Sequence, residues 1–404
     1  MKETIVFVIT NSCRYNKKVY QCSPSENGQV ARDVKMDEKE QCTQRLRKLK
    51  KRLHARSIDM LWVLKEENRR YLSGFRGRDG QCDESAGSLF ISESRQLLAT
   101  DFRYTRQAET EAHGFELVDY SKGVIKVLPR IARDADVRRL GFEAGRVSCT
   151  QFQKLSEALK NEQVSVELVP CEGLIEDLRS VKDASELDAI RRSVAITEGV
   201  LALILEELEP GISEKEVAWS IEKRIREKGA EEISFPPIVA SGKNAAFPHA
   251  IPTDRRIRKG EPIIIDMGSR LDGYCSDMTR TVTLGRPDAE FADIVNIVYD
   301  AQQKAIAAIR AGVSSRFVDG IARDYIDRKG FGDKFGHGLG HGVGLAVHEI
   351  PALSPRQDTQ LEAGMVLTVE PGIYIPGWGG VRLENMIVVQ PDGADVLNRM
   401  PVLV

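Results

Sequence analysis

Residues 211–229, GISEKEVAWSIEKRIREKG, have an echo at residues 312–330, GVSSRFVDGIARDYIDRKG, and this repetition decides the fold. The two stretches are equally long. Ser213 and Ser314 stand where a helix needs an oxygen to accept its first free N–H groups. Gly229 and Gly330 stand where a helix ends in the left-handed conformation that glycine adopts without strain. Val217 aligns with Val318 and Ile225 with Ile326, so the apolar faces repeat as well. Each stretch follows a longer helical pattern, over 184–208 and over 290–310, and precedes β-rich sequence. The second half of the chain therefore reads as two copies of a helix-helix-strand unit. Such a pair can close a curved sheet over a central cleft.

Outward from this duplication, a charged run from Leu178 to Leu187 leads into the first long helix. The domain boundary is placed just before that helix, giving a C-terminal domain over 178–404. Upstream, short apolar runs at Met60–Leu64, Ser88–Ile91 and Gln96–Ala99 alternate with turn residues and helix-like stretches. Leu140–Glu143 and Val164–Val169 follow, and together they predict an α/β domain over 40–177. Its first helix, Glu40 to Ala55, sets Leu46, Leu49 and Leu53 on one face among Arg45, Arg47, Lys48, Lys50, Lys51 and Arg52. That basic face is read as solvated and is given no function. Residues 1–39 read as an N-terminal extension of unknown role, with Met36 as an alternative start.

A chain of 404 residues is long enough for two domains with separate cores. With 58 Lys and Arg against 60 Asp and Glu, the net charge of −2 points to neither a nucleic acid nor a membrane surface as partner. The 7 cysteines are spread singly with no CxxC pair, which speaks against a disulfide framework or a cysteine-built zinc site and fits a reducing, cytoplasmic location. No apolar run approaches the roughly 20 residues needed to span a bilayer. Ile5–Ile9 lacks the flanks of a secretory signal.

The chemistry is concentrated in three stretches. PIIIDMG (262–268) reads as a buried strand carrying Asp266, and Asp277 follows in the β-like run YCSDMTRTVTL (274–284). Either aspartate alone is equally well explained as a turn former. FGHGLGHGVGLAVHEIP (335–351) crowds His337, His341 and His348 into a glycine-rich run when the chain has only 6 histidines. Imidazoles set beside missing side chains build a pocket more naturally than a core. The third stretch, LTVEPGIYIPGWGGVRLENMIVV (367–389), has two β-rich arms about a Gly/Pro turn, with Glu370 on one arm and Glu384 on the other. Glutamates among such apolar neighbours are either on a solvent-facing edge or buried beside a compensating cation.

Four carboxylates and one imidazole make a hard, oxygen-rich ligand set suited to manganese, cobalt or zinc. The set exceeds what one catalytic ion needs, so two divalent ions about 3.5 to 4 Å apart are inferred, with a bridging water deprotonated to the nucleophile. The ordered residues Asp266, Asp277, His341, Glu370 and Glu384, with FPHAIPT around His249, resemble the Xaa-Pro aminopeptidase, prolidase and methionine aminopeptidase superfamily. The resemblance implies an α+β protein with a creatinase-like α/β N-terminal domain and a duplicated "pita-bread" catalytic domain. It also implies that Asp266 binds one ion, that His341 and Glu370 bind the other, and that Asp277 and Glu384 bridge both. His249 and His348 would hydrogen-bond the scissile carbonyl or the tetrahedral centre, and Glu370 would carry a proton from water to the leaving imino nitrogen. Arg382 is similar in position to a family arginine that meets the substrate or orders the site, with a plain ion pair as the alternative, and His337 would line the pocket. The implied substrate is a peptide with proline in second position, the implied metal is manganese, with cobalt or zinc as alternatives, and the implied assembly is a homodimer. A creatinase-like C–N hydrolase and a non-catalytic peptide-binding member are the competing expectations, and both belong to branches that lack ligands present here.

Overall fold

The computed structural model describes residues 38–80, 85–287 and 289–402. The chain divides between Arg179 and Ser180 into two compact units. Most of the extension expected over 1–39 lies outside the described residues; the first helix, Glu38–Ala55, includes its last two.

The first unit is built on a six-stranded sheet in the order Glu116–Asp119, Gln96–Thr100, Ser88–Ser92, Met60–Val63, Arg139–Glu143, Glu167–Cys171. Met60–Val63 runs antiparallel to Ser88–Ser92 and parallel to Arg139–Glu143. Trp62 lies opposite Phe90 in this ladder, and their rings stack at 6.1 Å, a cross-strand pair that helps fix the register. Met60, Trp62, Leu140 and Phe142 form a core with Leu128 and Ile131 of one helix and Leu155 and Leu159 of another. The last strand starts later than the apolar run Val164–Val169 predicts, because its ladder begins only at Glu167; Val164 and Val166 pack on the core from the preceding loop. The basic helix also differs from expectation at one position. Arg45 is buried, with its guanidinium 4.2 Å from the Tyr71 ring centroid and donating to the Tyr71 carbonyl at 3.2 Å. Arg47, Lys48 and Lys51 are exposed as expected.

The second unit carries the predicted duplication. Helices Ala184–Glu207 and Glu214–Glu227 open the first copy, and Ala289–Ala308 and Ser315–Arg328 open the second. Ser213 accepts from the Glu216 amide and Ser314 from the Phe317 amide, satisfying N–H groups that the helix itself leaves free. Gly229 and Gly330 end the second helix of each copy with φ of 92° and 86°. Each cap serine also forms a single antiparallel bridge just ahead of the next main strand, Ser213 with Arg256 and Ser314 with Gln360.

Each copy then supplies an antiparallel strand pair: Ile263–Met267 with Met278–Val282 in the first, Val366–Val369 with Asn385–Val389 in the second. Alternation along a strand sends successive side chains to opposite faces. In the first copy Ile263, Ile265, Met267, Met278 and Val282 pack with Val217, Ile221 and Ile225 of the helix. In the second, Leu367, Val369, Ile387 and Val389 pack with Val318, Ala322 and Ile326. Each fully buried aliphatic side chain of this kind stabilises by about 1.5–3 kcal/mol. By the same parity, Asp266, Asp277, Thr279, Thr281, Thr368, Glu370 and Glu384 fall on the opposite face, away from the helices. The two pairs are joined there, since the Glu384 amide donates to the Thr279 carbonyl at 3.1 Å and the Arg382 amide to Thr281 Oγ1 at 3.0 Å.

The arms of the 367–389 stretch form two nested ladders rather than one hairpin. The inner ladder pairs Gly372–Ile375 with Gly379–Arg382, and Glu370 and Glu384 lie where it meets the outer one. The glycines of the histidine-rich run are explained by backbone crowding: a Cβ on Gly340 would lie 2.0 Å from the Thr368 carbonyl oxygen and one on Gly342 2.5 Å from that of Ile350. Gly340→Ala is accordingly expected to destabilise the protein by about 1–3 kcal/mol through overpacking. Urea denaturation followed by circular dichroism checks this, and an unchanged midpoint would show that the strand carrying His341 has room to move.

Candidate functional site

Strand parity and the junction of the two ladders bring the candidate side chains to one place. His249, Asp266, Asp277, His337, His341, His348, Glu370, Arg382 and Glu384 all line a single cavity of about 580 Å³. Its remaining wall is largely apolar and includes Phe235, Pro237, Ile251 and Val347.

At the centre, ligand atoms of Asp277, His341 and Glu384 lie within 4.8 Å of one another. His341 Nε2 is 3.7 Å from Asp277 Oδ2 and 3.3 Å from Glu370 Oε1. The other ring nitrogen of His341 sits 3.1 Å from the Gly342 carbonyl, which selects the tautomer with hydrogen on Nδ1 and leaves the Nε2 lone pair facing the acids. His341 and His348 stand edge to face with centroids 4.2 Å apart. Thr279 donates to Glu384 Oε2 at 2.6 Å and Thr368 to Glu370 Oε1 at 3.2 Å.

Asp266 faces a different partner. Arg382 Nη2 donates to Asp266 Oδ2 at 2.6 Å, while Arg382 Nη1 donates to the Tyr374 hydroxyl at 2.9 Å and to the Pro248 carbonyl at 3.1 Å. His337 Nε2 meets the same Tyr374 hydroxyl at 2.9 Å. Arg382 and Asp266 thus form an ion pair within the cluster.

Burial governs the ionisation of this cluster. Desolvation, reinforced by the neighbouring acids, holds Asp277 and Glu384 well above the usual carboxylate range, and desolvation pushes Glu370 up to about 8. Desolvation also pushes His341 and His337 down to about 4, so both imidazoles are neutral at pH 7. Acids that resist ionisation beside a neutral imidazole are the signature of a pocket built for positive charge. Two oxygens give a direct test of fit: Asp266 Oδ1 and Glu384 Oε1 are buried with no hydrogen-bond partner. An unpaired buried carboxylate oxygen costs free energy that a cation would offset. The residues present therefore fit divalent metal.

Residue patterns missed Tyr374, Thr279 and Thr368. Thr279 and Thr368 carried a signal, since each shares strand parity with an acid on the cleft face. Tyr374 carried none, because its role depends on Arg382 and His337 arriving from other elements.

Comparison with known proteins identifies the family. Residues 188–391 match the model of metallopeptidase family M24, and residues 45–181 match the creatinase/prolidase N-terminal domain. The chain is 38% identical over 357 residues to the Bacillus subtilis protein called uncharacterized peptidase YqhT, spanning 88% of this chain and 98% of that one. The structure of an Xaa-Pro dipeptidase from Bacillus anthracis superposes with a TM-score of 0.83 at 38% identity, covering 89% of this chain and 98% of that chain. The structure of an X-Pro aminopeptidase from Thermotoga maritima superposes with a TM-score of 0.77 at 36% identity, covering 85% and 96%. Among the described residues no helix is long and apolar enough to cross a membrane. Matched by both domain models and by relatives along most of its length, this chain belongs to metallopeptidase family M24, in its Xaa-Pro aminopeptidase and prolidase branch.

Proposed function

We propose that this metallopeptidase hydrolyses the bond before proline at the N-terminus of peptides or in Xaa-Pro dipeptides, with two divalent cations held by Asp266, Asp277, His341, Glu370 and Glu384. The observation that carries the reading is the convergence of these five side chains on one cavity, with Asp266 Oδ1 and Glu384 Oε1 left unpaired. Manganese is the favoured metal, with cobalt or zinc as alternatives, since the donors are oxygen with a single nitrogen. Bound cations would supply Lewis acidity and lower the pKa of a water molecule.

The chain's own groups divide the remaining work. Glu370, beside His341 in the cluster, would take the proton from the attacking water and deliver it to the leaving imino nitrogen. His249 and His348, on the cavity wall, donate to the carbonyl oxygen as it gains negative charge. Arg382 holds Asp266 and the Pro248 carbonyl together, so the His249 segment and the metal cluster share one support. His337 lines the pocket against Tyr374. The names of the structural relatives, an Xaa-Pro dipeptidase and an X-Pro aminopeptidase, support the proline preference and span both substrate lengths. The same reading carries a homodimeric, cytoplasmic enzyme; among the described residues Cys42, Cys149, Cys171 and Cys275 form no disulfide.

Metal-stripped protein re-supplied with manganese, cobalt or zinc is expected to cleave Xaa-Pro dipeptides or Xaa-Pro-Yaa tripeptides and to spare matched peptides with alanine in place of proline. Cleavage of tripeptides alone would exclude the dipeptidase form. Cleavage of neither, with metal bound, would overturn the proposal in favour of a peptide-binding role.

A further inference from the structure

Glu214, the first helical residue after the Ser213 cap, is fully buried yet lies outside the cavity. One of its oxygens accepts from the Ser241 amide and hydroxyl, both at 2.8 Å. The other accepts from the Thr253 amide at 3.0 Å and the Thr253 hydroxyl at 2.6 Å. Asn244 Nδ2 reaches both oxygens, at 3.3 and 3.1 Å. Ser241 ends the strand Ile238–Ser241, and the loop from Gly242 to Pro252 separates it from Thr253. A single carboxylate thus ties together the two stems of the loop that carries His249. Because His249 is exposed, its place over the cavity is set by this loop rather than by packing around its ring.

The second copy of the fold supplies an internal comparison. At the matching position, Ser315 is also fully buried, and its hydroxyl accepts from the Thr359 amide at 3.0 Å. Catching the returning segment is therefore common to both copies. Only in the first copy does a longer, charged side chain reach across to a second stem, and only that copy carries the FPHAIPT loop.

We propose that Glu214 is a positioning residue for His249, acting by clamping the stems of its loop; the kinetic side of this inference rests on the role given to His249 above. In Glu214→Gln one oxygen becomes an N–H donor that must face the backbone amide of either Ser241 or Thr253, and neither can reverse its polarity. One stem is then released. Misplacing a hydrogen-bond donor by about 1 Å costs on the order of 10²-fold, so kcat is expected to fall about 10- to 100-fold with KM little changed.

Two measurements on the full-length, manganese-supplied protein decide the matter. Hydrogen exchange at the Phe247 and Ala250 amides, which bond within the loop and not to Glu214, is expected to accelerate in Glu214→Gln while strand Ile263–Met267 keeps its protection. In a double-mutant cycle, adding Glu214→Gln to His249→Ala is expected to cost no further activity, whereas a merely structural defect would multiply the losses. Unchanged exchange at Phe247 and Ala250, or losses that multiply, would overturn the inference. Inactivity of the unmodified enzyme on every Xaa-Pro peptide would instead refute the proposed reaction, and the exchange measurement would still decide the clamp.

Discussion

Asp277→Asn is expected to lower kcat of the metal-supplied enzyme about a thousandfold or more while raising the melting temperature of the metal-free protein. Asp277 sits within 4.8 Å of the ligand atoms of both His341 and Glu384. An amide there offers one neutral acceptor in place of an anion and turns an N–H group toward the cluster. Charge stabilisation by a bound cation is worth several kcal/mol in such reactions, and about 1.4 kcal/mol corresponds to a tenfold change in rate. The opposite sign for stability comes from the same carboxylate. Burial and the charges of Glu384, Asp266 and Glu370 oppose its ionisation, so a neutral isostere relieves the metal-free fold. Steady-state kinetics and differential scanning calorimetry on the same preparation check both halves. Loss of activity together with a lower melting temperature would mean that the variant is misfolded rather than missing a ligand.

The metal-free protein is also expected to lose stability as pH rises from 6.5 to 8, and bound manganese is expected to abolish the trend. Glu370 has its folded value raised from 4.5 to about 8 by burial. In this window the native state keeps a proton that the unfolded chain has already released, so rising pH favours unfolding. At about 1.4 kcal/mol per pH unit, Glu370 alone contributes about 2 kcal/mol, or roughly 4–8 °C in the melting temperature of a unit of this size. Asp277 and Glu384, shifted in the same direction, add to it. His341 and His337 act in the opposite sense but more weakly: their folded values are pushed down to about 4, so the stability they contribute is full only above pH 6.5, and its last part, about 0.4 kcal/mol each, returns within the window as the unfolded imidazoles lose their protons. With metal bound the carboxylates have no reason to hold protons, and mass action raises the melting temperature at every pH, most at the alkaline end. Glu370→Gln should make the metal-free profile shallower, leaving the share carried by Asp277 and Glu384. A metal-free profile that is level between pH 6.5 and 8 in the unaltered protein would contradict the clustering of buried acids.

Much of this architecture was legible in the residues, for an identifiable reason. The duplication announces itself because cap serines and terminal glycines are dictated locally, by N–H groups that need an acceptor and by positive φ. Asp266, Glu370 and Glu384 stand out because an acid inside an Ile- and Val-rich strand contradicts its surroundings. What escaped depends on long-range register. The nesting of two ladders in 367–389 follows from how Gly372–Ile375 meets Gly379–Arg382, and a single Gly/Pro turn does not reveal it. Tyr374 and Glu214 look like ordinary strand and helix residues until their partners, His337 and Thr253 among them, arrive from other segments of the chain. At Gly340 and Gly342 of the histidine-rich run, the missing side chain makes room for the neighbouring backbone. Arg45 shows the converse limit, since a helical wheel cannot foresee that Tyr71 will cover one of its basic residues.

The most direct test of the account is anomalous diffraction from crystals grown with manganese. Two anomalous peaks inside the cavity, among Asp266, Asp277, His341, Glu370 and Glu384, are the result it predicts. No peak there, or a cation held elsewhere while Arg382 keeps Asp266, would contradict it.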